Sequence, residues 1–241
     1  MVGKTGPIVE FSPHATQDTA HHILIYGCEV PGYYERDTPR AIWDCGEMAL
    51  TGQSDFPKGP TCSKGSSIVY AWAKDAPKLV LPDGVGFKVG GDSGINFLVL
   101  QVHYAHVDKF LNGATDNSGI VLTMLPQYTE HVTKRAGVLL LGTAGSIPAH
   151  HIEHMETTCR IEEPLVLHPF AFRTHTHKLG TAVTGWKIDP FGSWILIGRH
   201  DPQLPQMFYP VEDTSLTIRH NDIVTARCTM NNTLSHRVDV G

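Results

Sequence analysis

The residues best able to do chemistry in this chain are its histidines, 15 in 241 residues. A metal site needs several imidazoles converging on one point, so clusters carry more weight than isolated rings. The sharpest cluster is Arg173-Thr174-His175-Thr176-His177. On a β-strand, residues i and i+2 face the same way, so His175 and His177 would project side by side with Thr176 behind them and grip one metal ion. A third ligand must come from elsewhere, and the flanking Phe170, Phe172 and Leu179 weigh against a merely solvated pair. His21-His22 precedes the apolar run Ile23-Leu24-Ile25-Tyr26. Adjacent strand residues point to opposite faces, so these two could share a metal only at a strand end or bend. His103 follows Val99-Leu100-Gln101-Val102, where a hydrogen-bonded core histidine is the commoner role. His150-His151 with His154 is the densest group but follows Pro148 in a polar stretch, and it reads as surface loop. His14, His106, His131, His168, His200, His220 and His236 are isolated and read as solvated or locally hydrogen-bonded.

The elements that must position these rings read as strands. Short β-like runs at 7–11, 21–27, 68–72, 97–104, 119–125, 137–141, 165–177, 194–198 and 222–228 alternate with turn signals, and no segment shows a sustained helical period. The runs 137–141 and 194–198 are continuously apolar and bounded by Gly, as in strands covered on both faces. The stretch 38–67, rich in Gly, Pro and Ser and holding Cys45 and Cys62, reads as a long loop tied down by a disulfide. Gly90-Gly91-Asp92-Ser93-Gly94 reads as a hairpin turn. The β pattern breaks at Pro126-Gln127-Tyr128-Thr129-Glu130, which predicts two domains, 1–127 and 128–241, each a β-sandwich of ordinary size.

Composition narrows the function classes. With 41% hydrophobic and 18% charged residues, a net charge of −5 and no basic cluster, the chain has no electrostatic footprint for nucleic acid or an anionic membrane. No apolar run is long enough to span a bilayer. G-x-S-x-G, H-E-x-x-H, the P-loop and the dinucleotide fingerprint are all missing from the sequence. The five cysteines, Cys28, Cys45, Cys62, Cys159 and Cys228, contain no C-x-x-C pair, so disulfides are the better reading than thiolate zinc. Scattered cysteines together with the sequon at Asn231 fit the secretory pathway. The N-terminus lacks a signal peptide and the cysteine count is odd, so a fragment is expected.

Several segments taken together are recognisable: Ala20-His21-His22-Ile23-Leu24-Ile25-Tyr26-Gly27-Cys28, Tyr70-Ala71-Trp72-Ala73, Leu100-Gln101-Val102-His103-Tyr104, Arg173-Thr174-His175-Thr176-His177-Lys178-Leu179-Gly180 and Pro202-Gln203-Leu204-Pro205-Gln206. In order and over nearly the whole chain they resemble the core of the peptidylglycine α-hydroxylating monooxygenases, of the copper type II, ascorbate-dependent family. The resemblance implies an all-β chain of two antiparallel, jelly-roll-like sandwiches with one copper on each. It implies hydroxylation of the α-carbon of a C-terminal glycine by O2 and ascorbate, the first step in making amidated peptides. The product would pass to a downstream lyase domain or enzyme. The setting would be the secretory pathway, its granules or the extracellular space.

Carried over by position, His21, His22 and His103 match the ligands of the electron-supplying copper, and His175 and His177 match two ligands of the oxygen-binding copper. The third ligand of that second copper is a methionine, expected beyond Gly241; Met230 is not its equivalent. The second domain is accordingly expected to be incomplete at its C-terminus. Arg173 matches the arginine that pairs with the substrate carboxylate, which separates peptide hydroxylases from dopamine β-monooxygenase. Gln101 is expected to line the route between the sites as a substrate-side residue. Cys28 and Cys62 match one family disulfide, whereas Cys45, Cys159 and Cys228 match half-cystines whose partners lie outside 1–241. Competing readings are a truncated copper-binding fragment without turnover and a dopamine β-monooxygenase-like hydroxylase. A cupin-type oxygenase shares the H-x-H pattern but would need a nearby carboxylate ligand, and none is apparent.

Overall fold

The computed structural model describes residues 6–46, 56–126 and 130–240. Among them there is no α-helix, only short 3-10 turns at Pro39–Ala41, Gly91–Ser93 and Asp108–Asn112, and the rest is strand and connection. The all-β expectation is met. The chain divides into two compact units, Met1–Val138 and Leu139–Gly241. The break expected at 127/128 falls in 127–129, outside the described residues.

The first unit holds β1 (Gly6–His14), β2 (Ala20–Pro31), β3 (Cys62–Ala73), β4 (Leu79–Val80), β5 (Val85–Val89), β6 (Phe97–Tyr104), β7 (Gly119–Met124) and β8 (Lys134–Arg135). One sheet runs β4-β1-β5-β8 with β7 also on β1, and the other runs β3-β2-β6. Aromatic side chains join the two layers. Phe11 of β1 stacks on Tyr70 of β3 with ring centroids 4.6 Å apart, and Phe87 of β5 meets Phe11 edge-on at 5.7 Å. Trp72, Ile23 and Ile25 are buried beside them, and the Trp72 indole N–H donates to Ala76 O. The distal half of β3, from Val69 to Ala73, is buried on both faces. Both layers of this sandwich therefore depend on this distal half, Val69-Tyr70-Ala71-Trp72-Ala73, while the proximal half of β3 is polar and exposed.

The opposite face of the β3-β2-β6 sheet is partly covered by the long connection from β2 to β3. The Cys28–Cys62 disulfide closes that connection at its base. Trp43 donates to Pro60 O, and Asp44 bridges to Lys58, so its two limbs are held together.

The second unit holds β9 (Gly145–Ile147), β10 (His151–Arg160), β11 (Val166–Leu167), β12 (Ala171–Phe172), β13 (Gly180–Ile188), β14 (Trp194–His200), β15 (Tyr209–Pro210), β16 (Ile218–Arg219), β17 (Ile223–Asn232) and β18 (Val238–Val240). An antiparallel sheet, β10-β17-β13-β14, is accompanied by the short ladders β11-β16, β12-β15 and β18-β9. Two small cores fill this sandwich: Ile147 with Met155 and Met230, and Ile161 with Ile218 and Val224.

Several sequence expectations change here. Residues 137–141 form no strand, and Leu139 and Leu140 are exposed. The run beginning at Trp194 is a strand, but it lies at the sheet edge with Trp194 and Leu196 exposed, so it is not covered on both faces. The stretch 165–177 contains only the two-residue strands β11 and β12. The histidine group at 150–154 is no loop: β10 begins at His151, while His150 takes a left-handed φ of 53°. Gly90–Gly94 does not close a hairpin, since β5 and β6 belong to different sheets. Periodicity missed β10 because its inward positions, Glu153, Met155, Thr157 and Cys159, include only one large apolar side chain.

Candidate metal centres

In the first unit, β2 is the central strand of its sheet. His22 is the register partner of His103 on β6 and of Ala73 on β3. This pairing brings His22 and His103 into contact, with ring centroids 4.1 Å apart and planes 27° from parallel. His21 joins them through a local irregularity. Between Ala20, opposite Tyr104, and His22, opposite His103, the β2–β6 register shifts and leaves His21 as the extra residue of a bulge. A bulge re-aims the side chain it carries, and that is the bend the sequence demanded of two adjacent histidines. His21 Nδ1 accordingly lies 2.9 Å from His22 Nδ1, and the two ring centroids are 5.1 Å apart.

Two imidazole nitrogens at hydrogen-bond distance, with a third ring stacked on one of them, form a donor set of nitrogen alone. Such a set fits copper or zinc and does not fit calcium or magnesium, which need oxygen. Among the described residues, no three His, Cys, Asp or Glu side chains already stand at the distances of a filled metal site. The backbone thus brings the three histidines together, and side-chain rotation has to complete a metal geometry. Beside His103, the Tyr104 hydroxyl donates to Asp116 at 3.0 Å. Burial, then the Asp116 hydrogen bond and charge, push the Tyr104 phenol above its ordinary range, so it stays neutral at physiological pH.

Gln101 lies two residues before His103 on the same face of β6. It is buried, with its amide Nε2 2.9 Å from Cys45 Sγ and 3.4 Å from Thr61 Oγ1 in the overlying connection.

In the second unit, the Arg173–His177 segment keeps the alternation of a strand without belonging to one. Thr174 and Thr176 are buried, whereas His175 and His177 are exposed. The two imidazoles share a face, as the i, i+2 spacing predicts, with ring centroids 5.4 Å apart and planes at 89°. The expected ladder is missing, and two glutamine side chains supply hydrogen bonds in its place. Gln203 Nε2 donates to His177 O at 3.0 Å and to Gly180 O at 2.9 Å. Gln206, 2% exposed, donates from Nε2 to Pro202 O at 3.0 Å and to Thr176 O at 3.4 Å. Its Oε1 lies 2.6 Å from His175 Nδ1, and its main-chain carbonyl accepts from Arg173 Nε at 2.8 Å. Neither glutamine stands out in the sequence as a functional residue; the local signal for them is the Pro-Gln-x-Pro-Gln segment, whose prolines stiffen a stretch that can hold an extended neighbour.

Two glycines make room for this arrangement. A Cβ on Gly180 would land on Thr176 Oγ1, and one on Gly198 would strike the Phe172 ring, which leads into Arg173. Met230 is buried in the Ile147–Met155 core, away from any ligand role on the surface of its strand. His151 and His154 lie on β10, three residues apart and on opposite faces, and His154 contacts Thr229.

The comparisons with known proteins follow the same division. The copper type II ascorbate-dependent monooxygenase N-terminal domain family matches residues 2–111, and its C-terminal domain family matches residues 134–241. The chain is 41% identical over 223 residues to peptidyl-glycine alpha-amidating monooxygenase B of Xenopus laevis, which covers 92% of this chain and 23% of the relative. It is 37% identical over 225 residues to peptidylglycine alpha-amidating monooxygenase of Rattus norvegicus, covering 92% of this chain and 20% of that one. Dopamine beta-hydroxylase of Canis lupus familiaris is more distant, 26% identical over 252 residues, covering 97% of this chain and 37% of the relative. The chain spans less than a quarter of the length of the amidating relatives it matches. The first imidazole group lies within the N-terminal match and the second within the C-terminal match, and the chain belongs to the copper type II, ascorbate-dependent monooxygenase family.

Proposed function

We propose that this chain is a peptidylglycine monooxygenase core that hydroxylates the α-carbon of a C-terminal glycine in glycine-extended peptides. The observation that carries this reading is that each family domain presents a separate imidazole group, one of them two residues from an arginine. His21, His22 and His103 would hold one copper, and His175 and His177 the other. Copper, when bound, supplies one-electron chemistry with O2, using ascorbate as the reductant.

The chain's own residues do the remaining work. Arg173, its Nε fixed on the Gln206 carbonyl, presents a planar cation beside the His175/His177 face, suited to a peptide's terminal carboxylate. That anchorage would hold the penultimate atoms, among them the glycine α-carbon, next to the second copper. Gln101 shares the His103 face of β6 and is buried against Cys45 and Thr61 of the overlying connection. Identity of 37–41% to amidating enzymes against 26% to dopamine beta-hydroxylase favours the peptide substrate. The Cys28–Cys62 disulfide supports a secretory-pathway setting, to which glycosylation at Asn231 and a lyase acting on the hydroxyglycine product also belong.

The test is to supply copper, ascorbate and O2 with a glycine-extended peptide, the same peptide extended by alanine, and a phenethylamine. Mass spectrometry should find one added oxygen on the glycine peptide alone. Oxidation of the phenethylamine instead would favour a dopamine-type hydroxylase. Copper binding with no oxidised product would leave a binding fragment.

A further inference from the structure

The bulge that brings His21 to His22 holds one residue more than the ladder needs. Ahead of it, Ala20 lies opposite Tyr104, and Ala105 N donates to Thr19 O at 2.9 Å, which carries the same register one pair further. If the register that sets His22 against His103 ran straight on instead, His21 would face Tyr104 and Ala20 would face Ala105. Strand alternation would then turn the His21 ring to the side opposite His22. The extra residue stays in place only while the ladder is pinned on both sides of it.

On the N-terminal side the pins are two charged side chains. The turn leading into β2 closes on itself, with the Thr19 and Ala20 amides both donating to Thr16 O. Asp75, in the turn after β3, accepts from Gln17 N at 2.8 Å. Lys109, in the 3-10 turn after β6, donates from Nζ to Thr19 Oγ1 at 2.6 Å. The entry to β2 is thereby tied to the segments that follow both of its sheet neighbours. Tyr104, the partner of Ala20, is itself fixed by Asp116 and by the Phe110 ring, edge-on at 5.6 Å. Asp75 reaches Gln17 from an unfavourable backbone: Lys74 and Asp75 both take a left-handed φ of 53°, directly after Ala73, the β3 partner of His22. Two such residues in succession persist only where surrounding contacts hold them, and strain of this kind collects at functional sites. Here the contacts are Trp72 Nε1 to Ala76 O at 2.8 Å and Ala76 N to Ala73 O at 3.2 Å.

We infer that Asp75 and Lys109 are positioning residues: together they clamp the turn before β2, keep the extra residue in the strand, and so hold His21 on the side of His22 and His103. The inference rests on the copper reading of the first centre for its purpose, whereas the register exists without metal. Hydrogen bonds with one charged partner are the stronger kind, and these two grip the same turn from opposite neighbours. Neither side chain touches an imidazole, so both act through the backbone of β2.

The experiment reads the β2–β6 register from cross-strand nuclear Overhauser contacts in the metal-free protein, then titrates Cu(I) against a competing chelator. Wild type should show Ala20 opposite Tyr104. Asp75→Ala combined with Lys109→Met should move that contact to His21 opposite Tyr104. Each single variant, having lost one charged hydrogen bond, should weaken Cu(I) at the first centre about tenfold, followed on the His22 and His103 ring signals. The His175 and His177 signals should titrate as in wild type. Asp75→Asn, which keeps an acceptor oxygen, and Lys109→Arg, which keeps a donor, should hold the wild-type register and affinity. A wild-type register in the double variant, or equal loss at both centres, would overturn the inference. Should the double variant not fold, the single ones decide: amide exchange at Ala20 and His21 should quicken about tenfold with β10 and β17 unchanged, and unaltered exchange there would defeat the clamp. Failure of the copper reading would look different, with a register that follows these variants while the His22 and His103 signals ignore Cu(I).

Discussion

At the scale of the residue, Arg173 would carry the choice of substrate on the proposed reading. Its Nε is committed to the Gln206 carbonyl, so the guanidinium plane is held beside His175 and His177 rather than swinging in solvent. A planar fork held in this way meets a carboxylate with two parallel hydrogen bonds, and lysine cannot reproduce the contact. Charged hydrogen bonds are worth about 1.5–3 kcal/mol. Arg173→Gln should therefore raise KM for a glycine-extended peptide by about tenfold to a hundredfold, while copper content stays at the wild-type level. Steady-state kinetics beside metal quantitation would check this, and an unchanged KM would remove Arg173 from substrate binding.

At the scale of the element, the second site depends on an extended segment that has no strand partner. Thr174 and Thr176 are its inward anchors, and Gly180 permits the close approach that seats Thr176. An added methyl at Gly180 meets a buried side chain rather than a flexible tip, and overpacking of that kind costs about 1–3 kcal/mol. Gly180→Ala should lower the thermal midpoint of the second unit and loosen copper at His175/His177, while copper at His21/His22/His103 persists. Calorimetry with site-resolved copper spectroscopy would read both effects.

The corresponding element of the first unit is the connection closed by Cys28–Cys62, which spans 34 residues in sequence and reaches Gln101 through Cys45 and Thr61. Replacing both half-cystines with alanine should cost about 2–5 kcal/mol, measured by urea unfolding. Affinity at the first centre should fall with it, because Cys28 lies on the same strand as His21 and His22. A first centre indifferent to the loss would separate the disulfide from the metal ligands.

At the scale of the whole molecule, a β protein with so many connections relies on carboxylates that tie its turns. Asp189 accepts from the Ser193 and Phe191 amides, Asp213 from the Ser215 hydroxyl and amide, and Asp239 from Ser146 and Arg237. These bonds hold all three carboxyls below the ordinary aspartate value of 3.8. A carboxyl depressed in the folded state adds stability that is complete above the unfolded pKa and is lost as pH falls through the folded one. Stability should therefore be level with respect to these groups above about pH 5 and decline as pH drops below the usual carboxylate range. Urea unfolding across an acid series would reveal it, and a midpoint unchanged by acid would show that these turns contribute nothing. A buried ion pair adds a tie of another kind: Lys187 meets Asp222 at 2.9 Å and also donates to Thr217 O, fastening β13 to the turn before β17.

The sequence by itself determined the class of the fold, the residue types of both imidazole groups, and the family through segments spread along nearly the whole chain. Alternating apolar runs need no tertiary information to read as strands, which is why β2, β3 and β6 were legible. The same local signal misleads at 137–141, a continuously apolar run that forms no strand, because hydrophobic composition does not say which segment finds a partner. Only tertiary structure decided how two adjacent histidines come to face one another. The bulge that turns His21 toward His22 is a property of the pairing between β2 and β6, set by where Ala20 and His22 register against Tyr104 and His103. Nor could spacing reveal Gln206, whose hold on His175 crosses 31 residues and exists only because Pro202–Gln206 lies against a strand-like segment that lacks a ladder of its own. Local periodicity places side chains on faces, and long-range pairing decides which faces meet.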